Sequence, residues 1–444
     1  MINSSIFKSY DVRGIYPSEL NEEASFAVGR AFVKHTGVKK VVVGYDARLS
    51  SPALFGALTE GLLAGGAQVT SIGQTPTEGL YFAVASYDFD GGIMITASHN
   101  PKEYNGFKMI KRKANDIIWI RGKDLLEVVE DGGFSSGSSQ IKKLDIWPDY
   151  VKHIFSFSGE VKPLKVVVDA SNGVMGSVMN MISEKLPCNI IPLNFEPDGN
   201  FPNHSPNPLE QGASKQIADV IKSQKADLGF MFDGDADRIF LIDELGQMVS
   251  ADIALLLLAK YFLQKNPGKG IAYNLICSRS VPEFVKKWGG MPIRTQVGFV
   301  NVREGLIKNN GIMGGELSAH YCFADYFYCD SGMIAFLTLL SIISKEGKPV
   351  SEMVKELSIY APPIQVSFQI EDKNAVLQKV KEKYTDGKQD YLDGVTVEYN
   401  NWWFNVRPSN TEPLLKLTIE ADTMDILKLR ERELREIIKE YSYE

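Results

Sequence analysis

Three carboxylates stand at alternate positions in Asp233-Gly234-Asp235-Ala236-Asp237-Arg238, between the apolar runs LGFMF and IFLID. Asp233, Asp235 and Asp237 on one loop repel one another unless a cation is present, so the pattern points to a hard divalent metal. Magnesium suits a site of few carboxylates completed by a phosphate oxygen. A calcium EF-hand is the rival, because Glu244 falls at the twelfth loop position. Against it, Arg238 occupies the position that requires glycine, and the flanks read as strands. A solvated acidic turn is the plainest alternative, and apolar strands on both sides argue against it.

Three further polar segments interrupt apolar patterns. In Thr96-Ala97-Ser98-His99-Asn100-Pro101, Ser98 has His99 beside it and Lys108 ten residues on, after Tyr104-Asn105-Gly106-Phe107. A serine hydroxyl is a weak nucleophile unless a base or metal assists it, and a plain Ser-His-Asn-Pro turn is the competing reading. A Ser-His-Asp hydrolase is disfavoured. No Gly-x-Ser-x-Gly elbow surrounds Ser98, and adjacent Ser and His side chains point apart on an extended chain. In Gly314-Gly315-Glu316-Leu317-Ser318-Ala319-His320 the residues Glu316, Ser318 and His320 alternate, so an extended segment projects all three to one side. A carboxylate, a hydroxyl and an imidazole on one face suit sugar hydroxyls; a glycine turn with a locally bonded histidine competes. In Arg407-Pro408-Ser409-Asn410-Thr411-Glu412-Pro413, arginine, hydroxyls and loop amides form a phosphate cradle, and helix capping by Ser409 or Thr411 competes with it.

Regular alternation of elements must carry these segments. Asn21 caps a helix, Val41–Val43 is a buried strand, and Ser51-Pro52 opens a helix that Gly65-Gly66 closes. Gln68–Ile72 reads as a strand, Thr77–Ala85 as a helix and Gly92–Thr96 as a strand. Such alternation implies parallel strands with crossover helices. The pattern recurs in strands Lys165–Val168, Asn189–Leu193 and Leu228–Phe232, and again in Ile271–Leu275, Ile293–Val297 and Ile312–Met313. Gly132–Ser139 reads as a surface loop, and Pro362-Pro363 breaks the chain before a strand-rich region with one terminal amphipathic helix carrying Leu427, Leu434, Ile438 and Tyr441. The expected domains are 1–147, 148–246, 247–361 and 362–444, three α/β units followed by a smaller α+β unit. Four segments at the ends of strands match where α/β sheets bind ligands.

Composition bounds the rest. The 444 residues are 44% hydrophobic and 23% charged, which excludes disordered and fibrous classes. A net charge of −7 offers no overall field for nucleic acid or anionic membrane, though it permits a local anion pocket. Cys188, Cys277, Cys322 and Cys329 lie far apart without a CxxC pair and read as free thiols of a reducing compartment. The N-terminal MINSSIFKSYDVRG lacks a signal region, and no apolar run reaches membrane-span length. A soluble, cytoplasmic chain is expected, a monomer or homodimer acting on small molecules, with no nucleic acid and no membrane partner.

TASHNP, DGDADR, GELSAH and RPSNTEP, in this order, resemble the α-D-phosphohexomutase family. The resemblance runs from FKSYDVRG at Phe7–Gly14 to the last unit. It is greatest to bacterial phosphomannomutases, including those that also act on glucose phosphates, with EPDGNFPNHSPNP and GGELSAHYCFADYFYCDSGMI in support. Glucosamine-phosphate mutases are similar but usually carry glycine at Asn410. The resemblance implies three related α/β domains with mixed sheets and a C-terminal α+β domain resembling the TATA-box-binding-protein fold. It also implies interconversion of hexose 1- and 6-phosphates through phosphorylated Ser98, with a sugar 1,6-bisphosphate as intermediate and activator. Asp233, Asp235 and Asp237 would then hold Mg²⁺ with the seryl phosphate on Ser98. Tyr10, Arg13, His99, Lys108 and Arg238 would surround the transferring group, with Lys108 the foremost general acid/base and His320 a second. Glu316, Ser318 and His320 would recognise sugar hydroxyls, and Arg407, Ser409, Asn410 and Thr411 the other phosphate. Two positions depart from the family: Ile276 stands where relatives often carry a basic residue, and Phe299 where they often carry histidine. Arg279 and Arg294 are candidates to replace that charge. Two readings compete: a phosphatase with Asp233 as nucleophile and Asp235 as acid/base, and a non-catalytic calcium or sugar-phosphate module.

Overall fold

The computed structural model describes residues 2–114, 116–130, 141–409 and 414–441. They form two compact units, one of residues 1–249 and 325–350, the other of residues 250–324 and 351–444.

The first unit holds two sheets. In the larger, Lys40–Tyr45 lies between Gln68–Gln74 and Gly91–Ile95 and is parallel to both. Val41, Val42 and Val43 are fully buried, as a run of β-branched residues between two helical layers requires. Asn21 caps the helix Glu22–Thr36 through its side-chain oxygen, and Gly37 ends it with φ of +70°. That helix packs on Ser51–Ala64, where Gly29 and Gly61 let the backbones touch: a Cβ on Gly61 would sit 2.0 Å from the Phe26 carbonyl oxygen.

The mixed character of the sheet comes from strands that periodicity did not reveal. Tyr104–Lys113 runs antiparallel to Gly91–Ile95 and pairs on its other side with Val12–Ile15 and Asp116–Ile120, both antiparallel. It directly follows the TASHNP segment and alternates lysine and arginine with apolar residues, so it reads as a polar loop until its neighbours are in place. The second sheet contains the expected strands. Lys165–Asp169 pairs in parallel with Asn189–Leu193 and Leu228–Phe232, and Ile239–Ile242 closes the edge antiparallel. The buried helix Gly332–Glu346 belongs to this unit, with Phe336 set edge-on to Phe230 at 4.9 Å.

In the second unit, Gly270–Asn274 pairs in parallel with Met291–Thr295 and Met313–Gly315, and Tyr321–Phe323 adds antiparallel. A separate antiparallel sheet runs Ala361–Phe368, Leu415–Ala421, Trp402–Pro408, Val395–Glu398 and Lys388–Asp390. Its core joins Phe404, Val406, Leu417 and Ile419 to Leu427, Leu434 and Ile438 of the terminal helix Met424–Lys439. Two sequence expectations need correction here. Pro362 and Pro363 do not break the chain; they sit at the start of an edge strand, where the register shifts and a missing amide costs nothing. The terminal helix has a companion, Lys373–Lys383, whose apolar contribution is confined to a few residues such as Val376 and Val380. Gly132–Ser139 lies outside the described residues. None of the four cysteines is in a disulfide, and Cys277, Cys322 and Cys329 are buried.

Candidate active site

Two turns meet in the first unit. The strand Gly91–Ile95 runs into Thr96-Ala97-Ser98, and the hairpin of Leu228–Phe232 and Ile239–Ile242 is closed by Asp233–Arg238. They approach so closely that a Cβ on Gly234 would lie 2.7 Å from the Ser98 carbonyl oxygen. Ser98 has φ of +51°, in the left-handed region that few residues other than glycine adopt. Its Oγ donates to Asp233 Oδ2 at 3.0 Å. The turn also overturns the extended geometry assumed for Ser98 and His99: Ser98 Oγ and His99 Nδ1 lie 3.3 Å apart.

Asp233, Asp235 and Asp237 are all buried, and each offers a carboxylate oxygen within 4.8 Å of the others. Their flanks are strands, not the helices of an EF-hand. Asp235 Oδ1 is buried and has no hydrogen-bond partner among the described residues. A set of three buried oxygen donors with one carboxylate oxygen unspent fits a small, hard divalent cation. Burial pushes the Asp233 carboxyl up to about 6, and the neighbouring Asp237 and Asp235 add to the rise while Arg238 opposes it. Arg238 donates Nε to Asp233 Oδ2 at 2.9 Å.

Lys108 comes from the antiparallel strand Tyr104–Lys113, with its Cα opposite Met94. Its ammonium pairs with Asp235 at 2.7 Å and also with Asp237. Burial works against its charge, but the two carboxylates outweigh that and raise its pKa above the ordinary lysine value. Arg13 reaches in from Val12–Ile15, donating to Asn100 Oδ1 at 2.6 Å and to Asp11 at 2.5 Å. Tyr10 lies half-buried in the bend just before that strand. Ser98, His99, Lys108, Arg13, Arg238 and the three aspartates thus belong to one unit. Thr77, which lies in no motif, and Thr96, which opens the TASHNP segment but was assigned no role, also join the site: both hydroxyls donate to Asp235 Oδ2, at 2.5 and 3.2 Å. The available signal was position, since each threonine flanks a predicted element end.

The second unit gathers Glu316, Ser318 and His320, but not on an extended segment. A tight turn with Ala319 at φ of +67° folds them together. Ser318 Oγ donates to Glu316 Oε2 at 3.1 Å, and His320 Nδ1 lies 3.0 Å from Ser318 Oγ. Glu316 Oε1 accepts from Asn274 Nδ2 at 3.1 Å and the Gly298 amide at 2.8 Å. Burial alone would raise this carboxyl, yet His320, the Gly298 amide and Asn274 hold it below the usual glutamate value. Phe299 stacks on His320 with ring centroids 5.8 Å apart, and Ile276 is buried. Neither candidate for the replaced charge is uncommitted. Arg279 pairs with Asp422 at 2.7 Å and stacks on Tyr360, and Arg294 pairs with Asp390 at 3.3 Å.

Arg407 lies buried in the strand Trp402–Pro408, and the Ser409 amide donates to the Leu414 carbonyl across the loop mouth. Asn410 and Thr411 lie outside the described residues.

Comparison with known proteins shows the family. Four profiles of phosphoglucomutase/phosphomannomutase match in order: alpha/beta/alpha domain I at residues 4–123, domain II at 148–246, domain III at 250–360 and the C-terminal domain at 366–437. A phosphomannomutase of Vibrio cholerae is 36% identical, covering 98% of each chain. A phosphomannomutase/phosphoglucomutase of Pseudomonas aeruginosa is 35% identical over 96% of this chain and 93% of its own. The crystal structure of a phosphoglucomutase/phosphomannomutase family protein from Burkholderia thailandensis, 34% identical, superposes with a TM-score of 0.88 over 99% of this chain and 98% of that one. No helix among the described residues is long and apolar enough to cross a membrane. The chain belongs to the phosphoglucomutase/phosphomannomutase family and is a phosphohexomutase.

Proposed function

We propose that the enzyme interconverts the 1- and 6-phosphates of mannose, and of glucose as a second substrate, with Ser98 as the phosphoryl carrier and a hexose 1,6-bisphosphate as intermediate and activator. The observation that carries this reading is Ser98 Oγ, on a left-handed turn, 3.0 Å from one of three buried clustered aspartates.

In the forward half-reaction the phosphorus–oxygen bond to Ser98 Oγ breaks as a bond forms to the substrate hydroxyl, whose proton departs. The second half-reaction reverses this from the other end of the bisphosphate. Phosphoryl transfer is governed by positioning and charge stabilisation, because the group in flight spreads negative charge over its oxygens. Asp233, Asp235 and Asp237 are proposed to hold Mg²⁺, which supplies charge neutralisation to the seryl phosphate. Arg238 and Arg13 are assigned fixed positive charge, Tyr10 and His99 a place around the transferring group, and Lys108 Nζ the exchange of the proton with the reacting oxygens. Glu316, Ser318 and His320 are assigned to sugar hydroxyls, and Arg407, Ser409, Asn410 and Thr411 to the phosphate that stays in place. The proposed domain limits are 1–147, 148–246, 247–361 and 362–444.

Phosphorus NMR of mannose 1-phosphate with Mg²⁺ and a trace of glucose 1,6-bisphosphate tests the reading, with glucose and glucosamine phosphates alongside. A growing 6-phosphate signal without inorganic phosphate, abolished in Ser98→Ala, supports it. Inorganic phosphate alone, unaffected by Ser98→Ala, replaces it with the phosphatase based on Asp233. Preference for glucosamine phosphate would replace the substrate assignment only.

A further inference from the structure

Arg48 is 1% exposed and takes no part in the phosphoryl transfer itself. It lies between the end of the strand Lys40–Tyr45 and the start of the helix Ser51–Ala64. A guanidinium has five N–H donors in a rigid planar fork, and here all of them are matched. Nε donates to Asp46 Oδ2 at 3.2 Å. Nη1 donates to the carbonyl oxygens of Pro101 at 2.6 Å and Tyr104 at 2.9 Å. Nη2 donates to those of Ser98 at 2.9 Å and Asn100 at 2.6 Å. Four of the five acceptors are therefore main-chain oxygens of the segment Ser98–Tyr104, the loop that presents Ser98 and the first residue of the strand after it.

The opposite side of Arg48 is closed as well. The Phe201 ring lies 5.2 Å from the guanidinium carbon, and a Cβ on Gly199 would meet the Arg48 Cα at 2.8 Å. Burying a charge is expensive unless every donor is satisfied. An arginine retained under that cost, with its donors spent on four carbonyls of a strained turn, fixes where those carbonyls point. The amide side of the same turn is held separately, by Ser98 N–H to Thr96 Oγ1 at 2.8 Å. With its carbonyl and amide both tied, Ser98 has little freedom to leave φ of +51°, and its Oγ stays directed at Asp233.

We infer that Arg48 is a positioning residue for phosphoryl transfer, the mould on which the Ser98 loop is shaped. It touches neither sugar nor phosphoryl group and acts through the backbone of Ser98, Asn100, Pro101 and Tyr104. The inference rests on Ser98 being the phosphoryl carrier, as proposed above. Lysine at this position keeps the charge but has three donors on a flexible stem, and it cannot span four carbonyls in one plane.

The test compares wild type, Arg48→Lys, Phe201→Leu and Ser98→Ala as full-length Mg²⁺-loaded proteins. Arg48→Lys should lower kcat by about 100-fold with KM within about threefold, because misplacement of a reacting atom by about 1 Å costs that much. Uptake of phosphate onto Ser98 from glucose 1,6-bisphosphate, read by intact mass, should slow in parallel. A merely structural role would lower the melting temperature and active fraction while leaving kcat per folded molecule and the phosphorylation rate unchanged, and that result overturns the inference. If Arg48→Lys does not fold, Phe201→Leu decides. It keeps Arg48 itself but removes the ring that backs the guanidinium and so loosens the fork against the four carbonyls; a kcat loss of about fivefold at constant KM supports the inference and an unchanged kcat overturns it. Full turnover in Ser98→Ala would instead defeat the phosphoserine reading itself, whatever Arg48 does.

Discussion

Thr77 grips Asp235 twice: its hydroxyl donates to Oδ2 at 2.5 Å and its amide to the main-chain oxygen at 3.0 Å. The first turn of the helix Thr77–Ser86 is thereby joined to the aspartate loop. Thr77→Val is nearly isosteric and removes one charge-assisted hydrogen bond, worth about 1.5–3 kcal/mol when its acceptor is ionised. The Mg²⁺ concentration giving half-maximal activity should rise about tenfold, and Thr77→Ser should restore it. An unchanged midpoint in Thr77→Val would remove Thr77 from the site.

Gly234 is small because the two loops meet there. Gly234→Ala would place a Cβ 2.7 Å from the Ser98 carbonyl oxygen and 3.2 Å from Pro206 Cβ. Backbone cannot yield as a side chain can, so the cost is about 1–3 kcal/mol of stability. Activity should fall by more than about tenfold, because relief of the clash must separate Ser98 from Asp233. Thermal unfolding and steady-state kinetics measure both, and a fully active variant would show that the loops need not be in contact.

Glu78 is fully buried one residue after Thr77, bonded to the Ser331 hydroxyl and to the Met333 amide at 3.3 Å. Burial pushes its carboxyl up to about 8, and nearby Asp330 adds to the rise. Between the ordinary glutamate range and that value, the native state binds a proton that the unfolded chain has released. Stability must therefore fall as pH rises through this window. Glu78→Gln mimics the neutral acid, so its melting temperature relative to wild type should climb from about pH 5 to about pH 8. A difference that stays level over that range would mean the carboxyl is ionised throughout.

Glu316 accepts three hydrogen bonds, from Asn274, the Gly298 amide and Ser318, and His320 Nδ1 lies 3.3 Å from its Oε2. Glu316→Gln turns one acceptor into a donor facing donors, at about 1–3 kcal/mol for the group left unpaired. If this cluster recognises the sugar, KM for hexose phosphate should rise about tenfold or more while Ser98 phosphorylation by the bisphosphate is less affected. Equal loss in kcat and kcat/KM with unchanged KM would place Glu316 in the transfer step instead.

Much of this was legible in the chain. The parallel strands around Val41–Val43, Lys165–Asp169 and Gly270–Asn274 announce themselves as short apolar runs, since strands covered on both faces need no polar positions. The aspartate loop was legible because three like charges held between buried strands repel one another strongly unless a cation lies among them. Tyr104–Lys113 escaped notice because its register, not its composition, makes it a strand, and that register exists only beside Gly91–Ile95. The alternation in Glu316–His320 suggested one face and the fold delivered one cluster, but through a turn at Ala319 rather than through a pleat.

Residue types and local order along the chain therefore specify the proposed reagents: a serine, three aspartates, a lysine, and a carboxylate with a hydroxyl and an imidazole. Local patterns carry that information because secondary structure and loop chemistry are decided within a few residues. The groups that set the geometry are of another kind. Arg48 lies 50 residues before Ser98, and Thr77 lies 158 before Asp235. No pattern in sequence links them, because their hydrogen bonds come into being only when separate strands of one sheet, and a hairpin from another, are packed together without water. Ser98 is named by its neighbours in the chain, but its orientation is the work of residues that only folding brings to it.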